Sequence, residues 1–341
     1  KLIMKKKILA MLLVFAFVFS FAACSKTSED NKNDVQQLTD ITVCLDWTPN
    51  TNHTGLFVAL KNGYYEEAGL NVTIVQPPEN GATQACAAGQ AQFAIDFQDI
   101  LAAAFASDTP LGVTAVAAVI QHNTSGIMSS KGQGMERPAG LTGKTYLTWD
   151  SPIELATLEN VVNADGGDWS RVNIEPNTVT NEAMDVKENP DHAIWVYYAW
   201  GGVNAEVSNI DTDFFYLRDY NDAFDYYTPV IVANNEFLET QPDTAKAFLA
   251  ATQKGYAFAI ENPDEAAQIL IDSDDTKSLV GSEELVYASQ RWIADQYIAD
   301  AEKWGYIDPA RWNAFYAWLY ENGLVEKDIS NNVGFSNDYL S

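Results

Sequence analysis

A chain of 341 residues with 47 acidic residues against 20 basic ones carries a formal charge of −27 at neutral pH. A body so negative has little with which to neutralise phosphates, which argues against a nucleic-acid binder, and like charge holds it off an anionic membrane surface. Its three cysteines and three histidines nowhere fall at the spacing of a cysteine or histidine metal site.

The N-terminus combines Lys5-Lys6-Lys7, an apolar run from Ile8 to Phe19, and Phe21-Ala22-Ala23-Cys24. A basic start, an apolar stretch too short to span a bilayer comfortably and a cleavage site of small residues read as a secretory signal peptide over residues 1–23. Cys24, directly after Ala22-Ala23, reads as the end of a bacterial lipobox. Its thiol would be acylated, leaving the protein lipid-anchored on the cell membrane, outside the cytoplasm. Ordinary cleavage that leaves a free thiol and an uncleaved N-terminal anchor are the alternatives. Loss of the leader removes four lysines and no acid, so the mature body is more acidic still. Residues 24–40 are polar and without apolar periodicity, which predicts a flexible tether.

The roughly 300 residues that remain exceed what one hydrophobic core accommodates, so two lobes are expected. From Ile41 short apolar runs alternate with helix-length segments. Strands are predicted at Ile41–Leu45, Asn71–Val75, Gln92–Asp96 and Gly112–Ile120, with helices at His53–Ala68, Gly81–Ala88 and Gln98–Ala106 between them. A second set follows, with strands at Thr145–Thr148, Val172–Glu175 and Ala193–Val196 and helices at Ile153–Asn163 and Thr180–Lys187. Phe214–Tyr227 is rich in Asp and Tyr, and Thr228–Ala233 reads as one more buried strand. The remainder is helical, at Pro242–Glu261, Pro263–Ile271, Ser282–Ala299 and Pro309–Glu321, with proline opening three of these helices where its missing amide costs nothing. Strands alternating with helices predict an α/β fold of mostly parallel sheets. One lobe is expected from residues 41–121 with 227–341 and the other from 122–226, with a ligand cleft and hinge between them. Cys44 and Cys86 read as small core residues rather than a disulfide.

In open α/β sheets the loops after the strands face the ligand crevice, so Asp46-Trp47-Thr48-Pro49-Asn50 with His53 is the leading candidate for ligand contact. Trp47 offers a flat face, Asn50 paired donor and acceptor, and His53 a cap or a contact, a set suited to a planar, nitrogen-rich heterocycle. Helix capping by Asn50 or Asn52 and packing by Trp47 are the plainer readings. Gln98 opens the helix after the third strand. In the second lobe Trp149 and Asp150 hold the matching position, and Tyr197, Tyr198 and Trp200 crowd a strand end more densely than packing requires. His192, after Asn189-Pro190-Asp191, reads as an exposed turn residue, and His122 lies beside the predicted hinge. No Gly-x-Ser-x-Gly or Gly-x-x-x-x-Gly-Lys loop is present, and no cofactor is called for.

These residues resemble the ThiY-like solute-binding lipoproteins of ABC importers, within the thiamine-precursor and sulfonate-binding superfamily. The resemblance runs from Leu45 to Leu324. It rests on Asp46-Trp47-Thr48-Pro49-Asn50 with His53-Thr54-Gly55, Gly63-Tyr64-Tyr65, Tyr227-Thr228-Pro229-Val230-Ile231 and Asn234-Asn235-Glu236-Phe237-Leu238, then on Ala247-Phe248-Leu249, Lys254-Gly255-Tyr256 and Trp304-Gly305-Tyr306 with Trp312. It implies a periplasmic-binding-protein-like fold, a monomer that captures a pyrimidine precursor of thiamin, formylaminopyrimidine or hydroxymethylpyrimidine, and delivery to ABC permease subunits. Riboflavin and then a sulfonate are the alternative ligands; the predicted cleft loops contain no lysine or arginine, which disfavours an anion. Where members of the group often carry an acidic residue after the second-lobe tryptophan, this chain has Gly201, leaving Asp150, Glu206 or Asp225 to replace it. A homologous branch synthesises the pyrimidine from its own histidine and pyridoxal phosphate. Here Phe97-Gln98-Asp99-Ile100 contains no histidine and no cysteine cluster exists, so the expectation is a binding protein and not an enzyme.

Overall fold

The computed structural model describes residues 38–341; the predicted leader, Cys24 and most of the predicted tether lie outside the described residues. The last tether residues already belong to a strand, since Thr39 pairs with Leu70. The strands are β1 (Thr39–Cys44), β2 (Leu70–Val75), β3 (Phe93–Asp96), β4 (Val113–Ala118), β5 (Ser125–Ser130), β6 (Thr145–Thr148), β7 (Asn173–Pro176), β8 (His192–Tyr197), β9 (Thr212–Tyr216) and β10 (Val230–Asn234). They form two five-stranded sheets, ordered β2-β1-β3-β10-β4 and β7-β6-β8-β5-β9.

Both sheets are mixed, which corrects the expectation of mostly parallel ones. β10 runs against β3 and β4, and β5 against β8 and β9. The reason lies in the crossings: the chain leaves β4 at its carboxyl end and enters β5 at that same end, where Ser125 stands opposite Tyr197. On the way back Val230 stands opposite Asp96 and Ala118, so β10 too starts at the carboxyl edge. The carboxyl ends of the parallel strands in both sheets therefore lie on the side where the two crossings run.

The helix predicted over His53–Ala68 is three pieces: a 3-10 turn at Thr51–His53 and helices at Thr54–Lys61 and Tyr64–Glu67. Gly63, at φ +76, makes the break in a left-handed conformation that glycine adopts without strain. Helix Thr54–Lys61 packs on helix Pro242–Glu261 through facing glycines. A Cβ on Gly255 would meet the Gly55 carbonyl oxygen at 2.0 Å, and one on Gly55 would meet the Tyr256 ring at 2.3 Å. The Gly-Tyr signatures of the sequence thus mark a close helix contact. Phe248 from the same long helix stacks on Phe93 of β3 at 3.9 Å, tying helix to sheet.

The C-terminal helices touch both halves. Helix Glu283–Ile293 lies against helix Val203–Val207 and brings Trp292 to 5.1 Å from Tyr198. Helix Pro309–Glu321 sets Phe315 on Tyr226 at 4.1 Å and Trp318 on Phe224 at 4.8 Å. The segment near Gly334 covers the outer edge of β4, whose Ala115 amide donates to the Gly334 carbonyl at 2.8 Å. Cys44 and Cys86 are buried free thiols, pushed up by burial to about 11 and about 12.

Candidate ligand-binding site

Strand order decides where a crevice can form. In the first sheet β1 has β2 on one side and β3 on the other, and in the second β6 stands between β7 and β8. Connections leaving adjacent strands in opposite directions open a crevice at their carboxyl ends. The loops at these switch points are Asp46–Asn50 after β1, Phe97–Asp99 after β3, Trp149–Asp150 after β6 and Tyr197–Trp200 at the end of β8.

The first loop is locked from within. Asn50 caps the Thr51–His53 turn, accepting from the Asn52 amide at 3.0 Å and donating to the Thr48 carbonyl at 3.1 Å. The Asn50 amide donates to His53 Nδ1 at 3.2 Å, so that nitrogen is unprotonated and Nε2–H donates to Asp46, 2.7 Å away. His53 is fully buried with both nitrogens engaged, so it serves the loop and does not face the crevice. What the lock presents is Trp47, 68% exposed, beside the half-buried Asp46 carboxylate.

The β6 loop is held by Glu154, a buried carboxylate on helix Pro152–Ala164. It accepts from the hydroxyls of Tyr146 and Thr148 and from the amides of Trp149 and Ser151. Trp149 is left 52% exposed, 6.1 Å from Trp195, and Asp150 is exposed at φ +62. The β8 end continues into a π-helical turn, Tyr198–Gly202, a form common at functional sites. Tyr198 donates to Glu206 at 2.5 Å and meets Trp292, while Trp200 packs against the apolar cluster that contains Phe93 and Phe248. A Cβ on Gly201 would sit 2.7 Å from Val196 Cβ, so this position accommodates no side chain without a shift.

The two halves meet where Phe97, just after β3, stacks on Tyr197 at 5.8 Å. The Tyr197 hydroxyl lies 3.5 Å from that of Thr228 on the returning crossing. Two carboxyls, Asp96 and Asp99, flank Phe97 in the chain. Asp96 accepts from the Thr83 hydroxyl and from the Phe97 amide at 2.9 Å, and burial pushes it up to about 6. Burial, with the Asp96 charge adding, also pushes Asp99 up to about 6, and its Oδ1 has no hydrogen-bond partner. Phe97, Asp99 and Thr228, which the sequence did not single out for the cleft, stand at this junction next to a strand end or a crossing.

Gln98 is fully buried and acts as a clasp. Its amide nitrogen donates to the Trp312 carbonyl at 2.8 Å and its oxygen accepts from the Tyr227 amide at 2.9 Å. Asp225 belongs to the crossings, where it accepts from His122 Nδ1 at 2.6 Å and from the Asn123 amide at 2.9 Å, with Arg311 at 3.4 Å. His122 Nε2 meets Asp300 at 3.0 Å, so the imidazole has an acceptor on each nitrogen, and its pKa is raised, first by the hydrogen bond to Asp225. A cavity of about 550 Å3 opens here, between His122, Arg218, Asp222 and Arg311. His192 corrects its reading as an exposed turn residue: it begins β8, half-buried, 2.8 Å from Asp185.

Two α/β halves joined by paired crossings, with switch-point loops turned toward the junction, have the architecture of the periplasmic solute-binding proteins. The alkanesulfonate-binding protein SsuA of Xanthomonas axonopodis pv. citri superimposes with a TM-score of 0.63 at 10% identity, covering 89% of this chain and 99% of that one. The periplasmic nitrate-binding protein NrtA of Synechocystis PCC 6803 does so with a TM-score of 0.65 at 12% identity, covering 89% and 87%.

Within that architecture the chain belongs to the NMT1/THI5-like family, whose model matches residues 50–266. It is 28% identical over 331 residues to the formylaminopyrimidine-binding protein of Halalkalibacterium halodurans, across 97% of this chain and 98% of that protein. To the 4-amino-5-hydroxymethyl-2-methylpyrimidine phosphate synthase of Legionella pneumophila it is 24% identical over 245 residues, 67% of this chain and 72% of the enzyme.

Proposed function

We propose that this chain is the receptor of an ABC importer for a pyrimidine precursor of thiamin, formylaminopyrimidine or its hydroxymethyl counterpart. The observation that carries the reading is that the two exposed tryptophans, Trp47 and Trp149, stand at matching positions on the switch-point loops after β1 and β6. The other seven of nine are more buried, so these two faces are free for a ligand. Residues 41–121 with 227–341 and residues 122–226 act as lobes that close over the flat ring. Closure is driven by tighter binding to the closed state, and the closed form docks on the permease. Near-complete alignment with a formylaminopyrimidine-binding protein supports the ligand class.

The protein is non-catalytic in this reading. Its three histidines are paired with carboxylates in three separate places, Asp46, Asp185 and the Asp225–Asp300 pair, which supports a scaffold role for each. Lipid on Cys24 holds the monomer beside its permease; no helix among the described residues is long and apolar enough to cross a membrane. Native mass spectrometry with pyrimidines, riboflavin and alkanesulfonates tests the assignment. A pyrimidine adduct without turnover is expected. Retained flavin, selective sulfonate binding or conversion of the pyrimidine overturns it.

A further inference from the structure

Among the described residues, five buried side-chain atoms lack a hydrogen-bond partner: Asp99 Oδ1, Ser125 Oγ, Ser129 Oγ, Trp195 Nε1 and Gln290 Nε2. Two of them, from opposite halves, converge on Tyr197. Ser125 is fully buried and opens β5 directly opposite Tyr197, and residues paired in this way project from the same face of a sheet. Asp99, the second residue of helix Gln98–Ala106, comes two positions after Phe97, the ring that stacks on Tyr197 from the other half, and its charge, after burial, raises the Tyr197 and Tyr226 hydroxyls. Tyr197 is also the residue that meets Phe97 across the junction.

We propose that Asp99 Oδ1, with Ser125 Oγ beside Tyr197, reads the amino edge of the bound heterocycle. The inference rests on the cleft being the site of a flat ring, and it names the atoms that select among such rings. A buried acceptor without a donor destabilises the empty protein, and a ligand N–H removes that penalty. An exocyclic amine next to a ring nitrogen presents a donor beside an acceptor. The amine donates to Asp99 Oδ1, and the Ser125 hydroxyl donates to the ring nitrogen. Sulfonates and nitrate present acceptors only, which a carboxylate close to the Asp96 charge repels. Asp99 thereby supplies the carboxylate that Gly201 does not. Its competing role is that of a first-turn acid favoured by the helix dipole.

Isothermal titration of the full chain with 4-amino-5-hydroxymethyl-2-methylpyrimidine and with its 4-oxo analogue separates the two roles. The unmutated chain is expected to prefer the amine. Asp99→Ala is expected to weaken the amine by about 30-fold and the oxo analogue by less than about threefold, with ligand-free Tm unchanged or raised. Ser125→Ala is expected to weaken the amine by about fivefold and to fold normally. Equal affinity of Asp99→Ala and the parent for the amine, or equal losses for both ligands with a lowered Tm, overturns the assignment alone. Binding of neither pyrimidine by the parent overturns the functional reading, and this assignment with it.

Discussion

Replacement of Trp47 by alanine separates a ligand-facing tryptophan from a core one. A tryptophan side chain offers about 150–250 Å2 of surface. With 68% of Trp47 exposed, only about a third of that, roughly 70 Å2, is buried by the protein itself. At ~25 cal/mol per Å2 the fold loses at most about 2 kcal/mol. If a closing ligand covers half of the free surface, binding gains about 2 kcal/mol from area and about 1 from ring stacking, together about 100-fold in Kd. Trp312 is the control: fully buried, donating from its indole to the Val333 carbonyl at 2.9 Å, its removal costs about 3–5 kcal/mol of stability. Isothermal titration with formylaminopyrimidine and thermal melting of both ligand-free variants make the comparison. A loss of melting temperature in Trp47→Ala as large as in Trp312→Ala, or an unchanged Kd, refutes the reasoning.

Glu154→Ala removes the acceptor shared by Tyr146, Thr148, Trp149 and Ser151, so both stability, by about 1–3 kcal/mol, and pyrimidine affinity fall; loss of stability alone separates the β6 loop from the site. Gly255→Ala forces helices Thr54–Lys61 and Pro242–Glu261 apart and costs about 1–3 kcal/mol in chemical denaturation, whereas a neutral result shows that the helices slide freely. His122 gains Asp225 and Asp300 on folding, so its native pKa lies above the unfolded value of about 6.5. Its contribution is complete below that value and fades as pH rises through the native pKa. The melting temperature of the parent should therefore converge on that of His122→Gln as pH rises through the native pKa, above about 6.5, and a gap that widens with pH reverses the sign.

Much of the fold was legible because it is local. Helices Gln98–Ala106, Pro242–Glu261 and Pro309–Glu321 and strand Thr145–Thr148 fall where periodicity, proline and turn residues put them. β5 and β9 were not read as strands. β5, Ser125–Ser130, has serine or glycine at four of its six positions, with no alternation to betray a central strand, and Gly126 is required there because a Cβ would sit 2.2 Å from the Phe215 carbonyl oxygen. β9 was hidden within an aromatic, acidic stretch. The mixed sheets followed from the same gap, since the direction of β5 depends on where the crossing delivers it.

The site divides in the same way. Its loops were legible, because the ends of strands in an α/β pattern are local features and tryptophan in such a loop is conspicuous. Which side chains those loops release was decided by partners far along the chain. Asn50 and His53 are consumed within their own turn, Gln98 by residues 129 and 214 positions away, and Asp225 by His122, 103 positions away. The sequence alone therefore determined the order of elements, the leader reading and the aromatic, acid-rich character of the loops. Only the tertiary structure decided that Trp47 and Trp149 stay free, that Gly201 has no room for a side chain, and that Asp99 Oδ1 is left without a hydrogen-bond partner. Whether a polar atom is satisfied depends on donors and acceptors that folding alone brings within 3 Å or so.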